Sequence, residues 1–294
     1  MTSRPIVVSL PVMFTERFID SGESHIRVLS GLDESPPILF LHGVSRIGRD
    51  FAPLFPAVAN AWQVHTLDHR GHGQSSRGPG GYRVVDYARD AAAVVRSFPV
   101  PVVLFGHSLG AVTAAAVAAA EPERVRAVVL EDPPSAGFLA KLDRTMYYTQ
   151  FVATQKLAGQ HRPIADIARD LANTPLPQPN GSTARLGDFR DASMLRFSAR
   201  CLPDLDPRVF DPLLDGTWLR GYDEDAIWEA IACPVLLLRG EEARGGMLPT
   251  PDANRMAATI TDCTRVDVPG VGHLIHWLAT EACVRLTLGF LESL

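Results

Sequence analysis

Val100-Pro101-Val102-Val103-Leu104-Phe105-Gly106-His107-Ser108-Leu109-Gly110 opens a stretch that continues through an alanine-rich run to Ala120 without one Asp, Glu, Lys or Arg. Its 21 residues are long enough to cross a bilayer as a helix. The two halves are unlike, however. Valine, leucine and phenylalanine fill 102–105, which suits a strand buried on both faces, whereas alanines dominate 111–120, which suits a helix. Gly106-His107-Ser108 stands at the join. The stretch therefore reads as a strand turning sharply into a helix, and no membrane span is expected.

Outward from this point the same alternation recurs. Pro37-Ile38-Leu39-Phe40-Leu41 is a short apolar run that stops at His42-Gly43, and Gln63-Val64-His65-Thr66-Leu67 stops at Asp68 and a glycine-rich loop over 71–81. Residues 86–98 have helical spacing, with Ala88, Ala92 and Val95 on one side, and 125–130 is a further apolar run. Strands apolar on both faces, alternating with helices, predict an α/β fold: a doubly wound, mostly parallel sheet with helices on both faces.

The pattern breaks at Pro133-Pro134. Helix-like pieces follow at 138–155 and 164–171, then a loop rich in Pro, Asn and Gly at 174–181, and no apolar strand until Pro234-Val235-Leu236-Leu237-Leu238. Residues 263–268 read as the last strand and 276–291 as the closing helix. The expected organisation is a core domain from 1–134 and 233–294, interrupted by a helical cap over 135–232.

Composition narrows the function. A chain of 294 residues with 46% hydrophobic residues has material for a real core, which excludes wholesale disorder. The 28 basic and 33 acidic residues give −5, and the basic ones are scattered arginines apart from Lys141 and Lys156, so no nucleic-acid partner is expected. Cys201, Cys233, Cys263 and Cys283 stand at least 20 residues apart with no C-x-x-C pair, as in a reduced cytoplasmic protein. Residues 1–14 are mildly apolar but carry Pro5 and Pro11 and lack a small-residue cleavage site, so no signal peptide is expected. Nothing in the pattern sets an oligomeric state.

Gly106-His107-Ser108-Leu109-Gly110 fits G-x-S-x-G at the strand-to-helix join. A sharp turn holds the serine in a strained backbone conformation, and the flanking glycines let neighbouring elements approach. The serine oxygen then projects from the carboxyl end of the sheet, beside the positive end of a helix. A serine hydroxyl needs a base within hydrogen-bond reach to become a nucleophile. Of nine histidines, His273 is the best placed, in the loop Val271-Gly272-His273-Leu274 between the last strand and the last helix. His276 is the competitor, while His25, His65 and His161 read as surface or packing residues. His69 and His72 have the look of a metal pair without a third ligand; no metal and no organic cofactor is expected.

Four segments in order carry a family resemblance: Leu41-His42-Gly43, Asp68-His69-Arg70-Gly71-His72-Gly73-Gln74-Ser75, Gly106-His107-Ser108-Leu109-Gly110 and Gly272-His273. With Glu121-Pro122-Glu123-Arg124-Val125 after the serine helix, they resemble the α/β-hydrolase fold family over 38–132 and 234–290. The resemblance implies an oxyanion hole from the backbone N–H groups of Leu109 and Val44. It implies that Asp68 and Arg70 brace a loop beside the pocket. It also implies a carboxylate on the histidine, and here the chain departs from the common pattern. The family's usual position, three residues beyond Gly240, is Ala243, with Glu241 and Glu242 displaced from it. Other members carry the acid after the strand that follows the serine helix, which is Asp132 in Glu131-Asp132-Pro133. Asp132 is favoured, with Glu241 or Glu242 as the alternative.

Ser108 occupies the place where haloalkane dehalogenases and epoxide hydrolases of the family carry an aspartate, which argues against both. The expected activity is hydrolysis of a small-molecule carboxylic ester or lactone through an acyl-enzyme. The alternatives are a carbon–carbon bond hydrolase of ring-cleavage-type diketones, an acyltransferase, or a non-catalytic ligand-binding protein. Among the cap aromatics, which include Phe151, Phe197 and Trp228, the candidates for substrate contact are Tyr147, Tyr148 and Trp218.

Overall fold

Alternation of apolar side chains along each strand decides how the layers assemble. The computed structural model describes residues 14–178 and 181–294, so the expectation for 1–14 lies, Phe14 apart, outside it. Its main sheet is built from β1 (Phe14–Asp20), β2 (His25–Gly31), β3 (Pro37–Leu41), β4 (Gln63–Leu67), β5 (Val102–His107), β6 (Val125–Glu131), β9 (Val235–Gly240) and β10 (Cys263–Val268). A short antiparallel pair, β7 (Pro175–Pro177) and β8 (Thr183–Arg185), stands apart. The main sheet has the order β1-β2-β4-β3-β5-β6-β9-β10; β2 pairs antiparallel with both neighbours and every other pair is parallel.

Leu39, Leu41, Leu104, Val128, Leu130 and Leu237 point to one face, where they meet the helices Val84–Arg96, Leu109–Ala120 and Thr250–Thr259. Ile38, Phe40, Phe105, Val129, Leu236 and Leu238 point to the other, against Phe51, Phe55, Val58, Ile275, Cys283 and Leu291. Both layers are apolar, so the strands in the middle had to be apolar on both faces. No helix among the described residues is long and apolar enough to cross a membrane; the alanine run forms the 12-residue helix Leu109–Ala120.

β3 pairs with β4 on one side and β5 on the other, so the chain reverses its winding direction between β3 and β5. In such sheets the loops leaving the two strands part there and open a crevice at their carboxyl ends. Gly43 follows β3 and Ser108 follows β5.

Several local expectations are corrected. β1 and β2 lie outside the expected strands; β1 is an exposed edge whose Thr15, Glu16 and Arg17 break any apolar run. The helix expected over 138–155 is two, Ala136–Leu139 and Met146–Leu157, separated by a turn of 3-10 helix at Leu142–Arg144. The closing helix is likewise divided, into Ile275–Leu278 and Thr280–Leu291, because Ala279 has left helical backbone geometry (φ −136°, ψ 48°). The loop at 174–181 holds β7, which pairs with β8. Between β6 and β9 no strand joins the main sheet among the described residues; the segment is helical and contributes most of a third apolar cluster, with Leu171, Leu202, Val209, Phe210 and Trp218 packed against Tyr87, Leu109 and Val112.

Candidate active site

Ser108 sits at φ 54°, ψ −117°, a conformation that L-residues rarely adopt. Two close approaches impose it. A Cβ on Gly106 would lie 2.2 Å from the Gly110 carbonyl oxygen, and one on Gly110 would lie 1.8 Å from the Leu41 carbonyl oxygen. The two glycines of the motif thus let the helix Leu109–Ala120 start tight against the ends of β3 and β5. The Ser108 N–H donates to the Glu131 carbonyl at 3.0 Å, which ties the turn to β6. Leu109 is the first helical residue, so its N–H has no intrahelical acceptor.

Opposite the serine, His273 Nδ1 lies 2.7 Å from Asp132 Oδ2. Asp132 is fully buried at the end of β6, and its two oxygens also accept from the N–H groups of Gly240 (3.1 Å) and Met247 (2.8 Å). A carboxylate held by two backbone donors fixes Nδ1 as the protonated nitrogen and leaves Nε2 with its lone pair. Ser108 and His273 line the same chamber of about 80 Å³ with Gly43, Val44, Tyr147 and Met247. Glu241 instead accepts from the Gly270 N–H at 2.9 Å, and Glu242 from Arg239 at 2.7 Å; neither hydrogen-bonds to His273.

The loop after β3 is fixed from behind by histidines. His42 Nε2 accepts from the His69 N–H (3.0 Å), so its Nδ1–H donates to the Gly43 carbonyl (2.8 Å). His72 donates from Nδ1 to the Arg70 carbonyl (2.9 Å) and accepts from the Ser45 N–H (3.2 Å). Burial lowers the His72 pKa to about 3, so it remains the neutral ring that can accept this bond. Asp68 holds the Gly48 N–H at 2.8 Å, and Arg70 pairs with Asp90 at 2.5 Å. Asp68 therefore braces the pocket loop directly, whereas Arg70 anchors the glycine-rich segment to the helix Val84–Arg96. Both ring nitrogens of His72 are thus in protein hydrogen bonds, whereas both of those of His69 are buried without a hydrogen-bond partner.

A second charged cluster lies beneath the serine turn. His276 is fully buried, with Nδ1 2.8 Å from Glu131 Oε1 and Nε2 3.4 Å from Asp50 Oδ2. Asp50 also takes Arg46 (2.5 and 2.9 Å) and the Trp277 indole N–H (2.8 Å). Burial opposes the charge on His276, but Glu131 and Asp50 outweigh it and raise its pKa to about 9. Burial likewise opposes the Asp50 charge, yet Arg46 and His276 hold its pKa well below the usual carboxylate range. Asp50, His107 and His276 each bring one potential ligand atom within 4.8 Å of the others. Asp50 Oδ2, His107 Nδ1 and His276 Nε2 are buried without hydrogen-bond partners, and Arg46 and Glu131 border the group. His276 itself is turned away from the chamber of Ser108.

His107 was not singled out from the sequence. Its Nε2–H donates to the His273 carbonyl at 2.9 Å, and the two rings lie 4.6 Å apart, so the residue preceding the serine positions the loop of the histidine. Of the three aromatic candidates, Tyr147 lines the chamber and its hydroxyl donates to the Gly245 carbonyl. Tyr148, one step on along the same helix, faces a separate hollow that it shares with Trp218. Phe151 also lines the chamber, Phe197 packs on Arg46 and Trp277, and Trp228 belongs to the core under the sheet.

The fold and the serine turn define a class, and comparison with known proteins agrees. A family model described as the alpha/beta hydrolase fold matches residues 36–280, and the chain belongs to that family. It is 25% identical over 291 residues to a 2-(acetamidomethylene)succinate hydrolase of Mesorhizobium japonicum, covering 95% of this chain and 96% of that one. It is 33% identical over 267 residues to a pimeloyl-[acyl-carrier protein] methyl ester esterase of Chromobacterium violaceum, covering 89% and 96%. Among solved structures, an E-2-(acetamidomethylene)succinate hydrolase superposes with a TM-score of 0.77 at 23% identity, over 95% of this chain and all of the other.

Proposed function

We propose that the chain is a serine hydrolase of small-molecule carboxylic esters or lactones, acting through an acyl-enzyme on Ser108. One observation carries the reading: a serine on a strained turn shares its chamber with a histidine whose Nδ1 is held 2.7 Å from a buried carboxylate. The esterase relative, 33% identical, supports the ester as substrate.

In the reaction His273 Nε2 takes the Ser108 hydroxyl proton as Oγ attacks the substrate carbonyl. The oxyanion is met by the N–H groups of Leu109 and Val44, where each donor lowers the barrier by about 3 kcal/mol. Collapse expels the alkoxide, which leaves with the proton from His273. Water then attacks the acyl-enzyme, His273 accepts its proton, and Ser108 is restored. Asp132 holds the ring in the required tautomer and stabilises the imidazolium of both steps.

Residues 135–232 act as the cap over core residues 1–134 and 233–294; the apolar cluster they share with Leu109 and Val112 supports this division. All four cysteines are free, and burial raises the thiol pKa of Cys201 to about 12 and of Cys233 and Cys263 to about 11, which fits a cytoplasmic protein with inert thiols. A second reading, an amide in place of the ester, is favoured by the relative spanning 95% of the chain, whose name puts it on an acetamido compound.

The test is hydrolysis of p-nitrophenyl esters from acetate to decanoate by the wild type and Ser108→Ala. Turnover abolished by the alanine supports the reading. Turnover surviving it overturns the assignment of the nucleophile. Silence on every ester shifts weight to the amide, to carbon–carbon cleavage or to a binding role.

A further inference from the structure

Three arginines are buried in this fold, and each has a carboxylate: Arg46 has Asp50, Arg70 has Asp90, and Arg239 has Asp267 and Glu242. Arg190, which is half-buried, has none. It stands in the turn before the helix Ala192–Cys201 and lines both the chamber of Ser108 and an adjoining cleft of about 740 Å³. The two spaces share Tyr147, Gln150, Leu186, Arg190, His273 and Leu274, so Arg190 flanks the passage from one to the other.

No carboxylate and no hydrogen-bond acceptor among the described residues takes the Arg190 guanidinium. Burial lowers its pKa from the ordinary arginine value. Tyr147 and Asp50 favour the charge, while Arg46 disfavours it. Tyr147 offers no compensating charge, because burial pushes its pKa up and keeps the hydroxyl neutral. Asp50 is already shared by Arg46, His276 and Trp277. An arginine keeps its proton in any of these surroundings, so a planar, five-donor cation faces the reaction chamber without a partner. With only solvent around its N–H groups, the guanidinium is free to take an anion that enters the chamber.

We propose that Arg190 anchors a carboxylate of the substrate, so that the hydrolase acts on carboxylate-bearing esters or amides in preference to neutral ones. The proposal rests on the serine-hydrolase reading of Ser108 and deepens it. A guanidinium presents two parallel N–H donors to a carboxylate and fixes its orientation as well as binding it. With the anion held at the passage, the rest of the substrate is aligned for the carbonyl to reach Ser108.

The experiment compares matched pairs by proton release at constant pH. Monomethyl glutarate and adipate against methyl valerate and hexanoate put the carboxylate on the acyl side; 4-acetoxybutyrate against butyl acetate puts it on the leaving side. In one arm kcat/KM should favour the charged substrate on the order of 100-fold, chiefly through KM. Arg190→Gln should reduce the ratio to within about threefold, and Arg190→Lys, which keeps the charge without the fork, should restore part of it. A thermal readout separates anchoring from a structural role. Glutarate should raise the Tm of the wild type and not that of Arg190→Gln, and the glutamine variant without ligand should melt no lower than wild type.

No charge preference in either arm, or a preference that survives Arg190→Gln, overturns the proposal. So does a marked fall in Tm for Arg190→Gln with no response of the wild type to glutarate. If no ester gives Ser108-dependent turnover, the serine-hydrolase reading fails instead, and the glutarate shift with its loss in Arg190→Gln still decides the anion site.

Discussion

His276 should make this protein lose stability as the pH rises through about 9. The ring lies between Glu131 and Asp50, fully buried, and its pKa is raised to about 9. In the unfolded chain it reverts to about 6.5. A folded-state pKa above the unfolded one means that the native state binds the proton more tightly, so the stabilisation is complete below pH ~6.5 and fades as pH rises through about 9. At ~1.36 kcal/mol per pH unit the full value is about 3 kcal/mol, most of it present at pH 7 and almost none at pH 10. His276→Gln keeps polar side-chain volume but cannot carry the charge. Thermal melts of wild type and variant from pH 7 to 10 should show a gap in Tm that closes by about 5 °C, at ~2 °C per kcal/mol for a chain of this size. A gap that stays constant over that interval would refute the reasoning, because an uncharged His276 contributes only packing and hydrogen bonds, which do not titrate.

Asp132→Asn should lower kcat on p-nitrophenyl esters on the order of 10³–10⁴-fold, since an amide no longer holds the His273 tautomer; steady-state kinetics reads this directly. The same variant should melt lower than wild type, because the amide NH₂ is turned toward either the Gly240 or the Met247 N–H. Gly110→Ala should cost about 3 kcal/mol or more in a denaturant melt, as the new Cβ falls 1.8 Å from the Leu41 carbonyl oxygen. Gly289→Ala, in the helix Thr280–Leu291 with nothing within 4 Å of its Cβ, should stabilise by about 0.5–1 kcal/mol in the same assay.

What could be read in the sequence followed from local physics. β3, β5, β6 and β9 are buried on both faces, so their apolar runs are continuous and visible in a short window. β1 has one neighbour and an exposed face, and its alternation with Glu16 and Arg17 leaves no such run. The serine turn was legible because its glycines are required by contacts within a few residues of it and with the adjacent strand end. His107 was not, since the carbonyl it holds belongs to a residue 166 positions away. Distinguishing Asp132 from Glu241 and Glu242 depended on which carboxylate the folded loops bring to His273, and three carboxylates near strand ends look alike in one dimension. Tyr147 and Tyr148 differ only by one helical step, which sends one side chain to the chamber and the other to a separate hollow.

The central claim is that Ser108 is an activated nucleophile. Intact-protein mass spectrometry after treatment with a fluorophosphonate tests it most directly, with peptide mapping to locate the adduct and Ser108→Ala treated alongside. The account predicts one adduct per chain, on Ser108, and none on the alanine variant. An unlabelled wild type, or labelling that persists at another residue in Ser108→Ala, would contradict it.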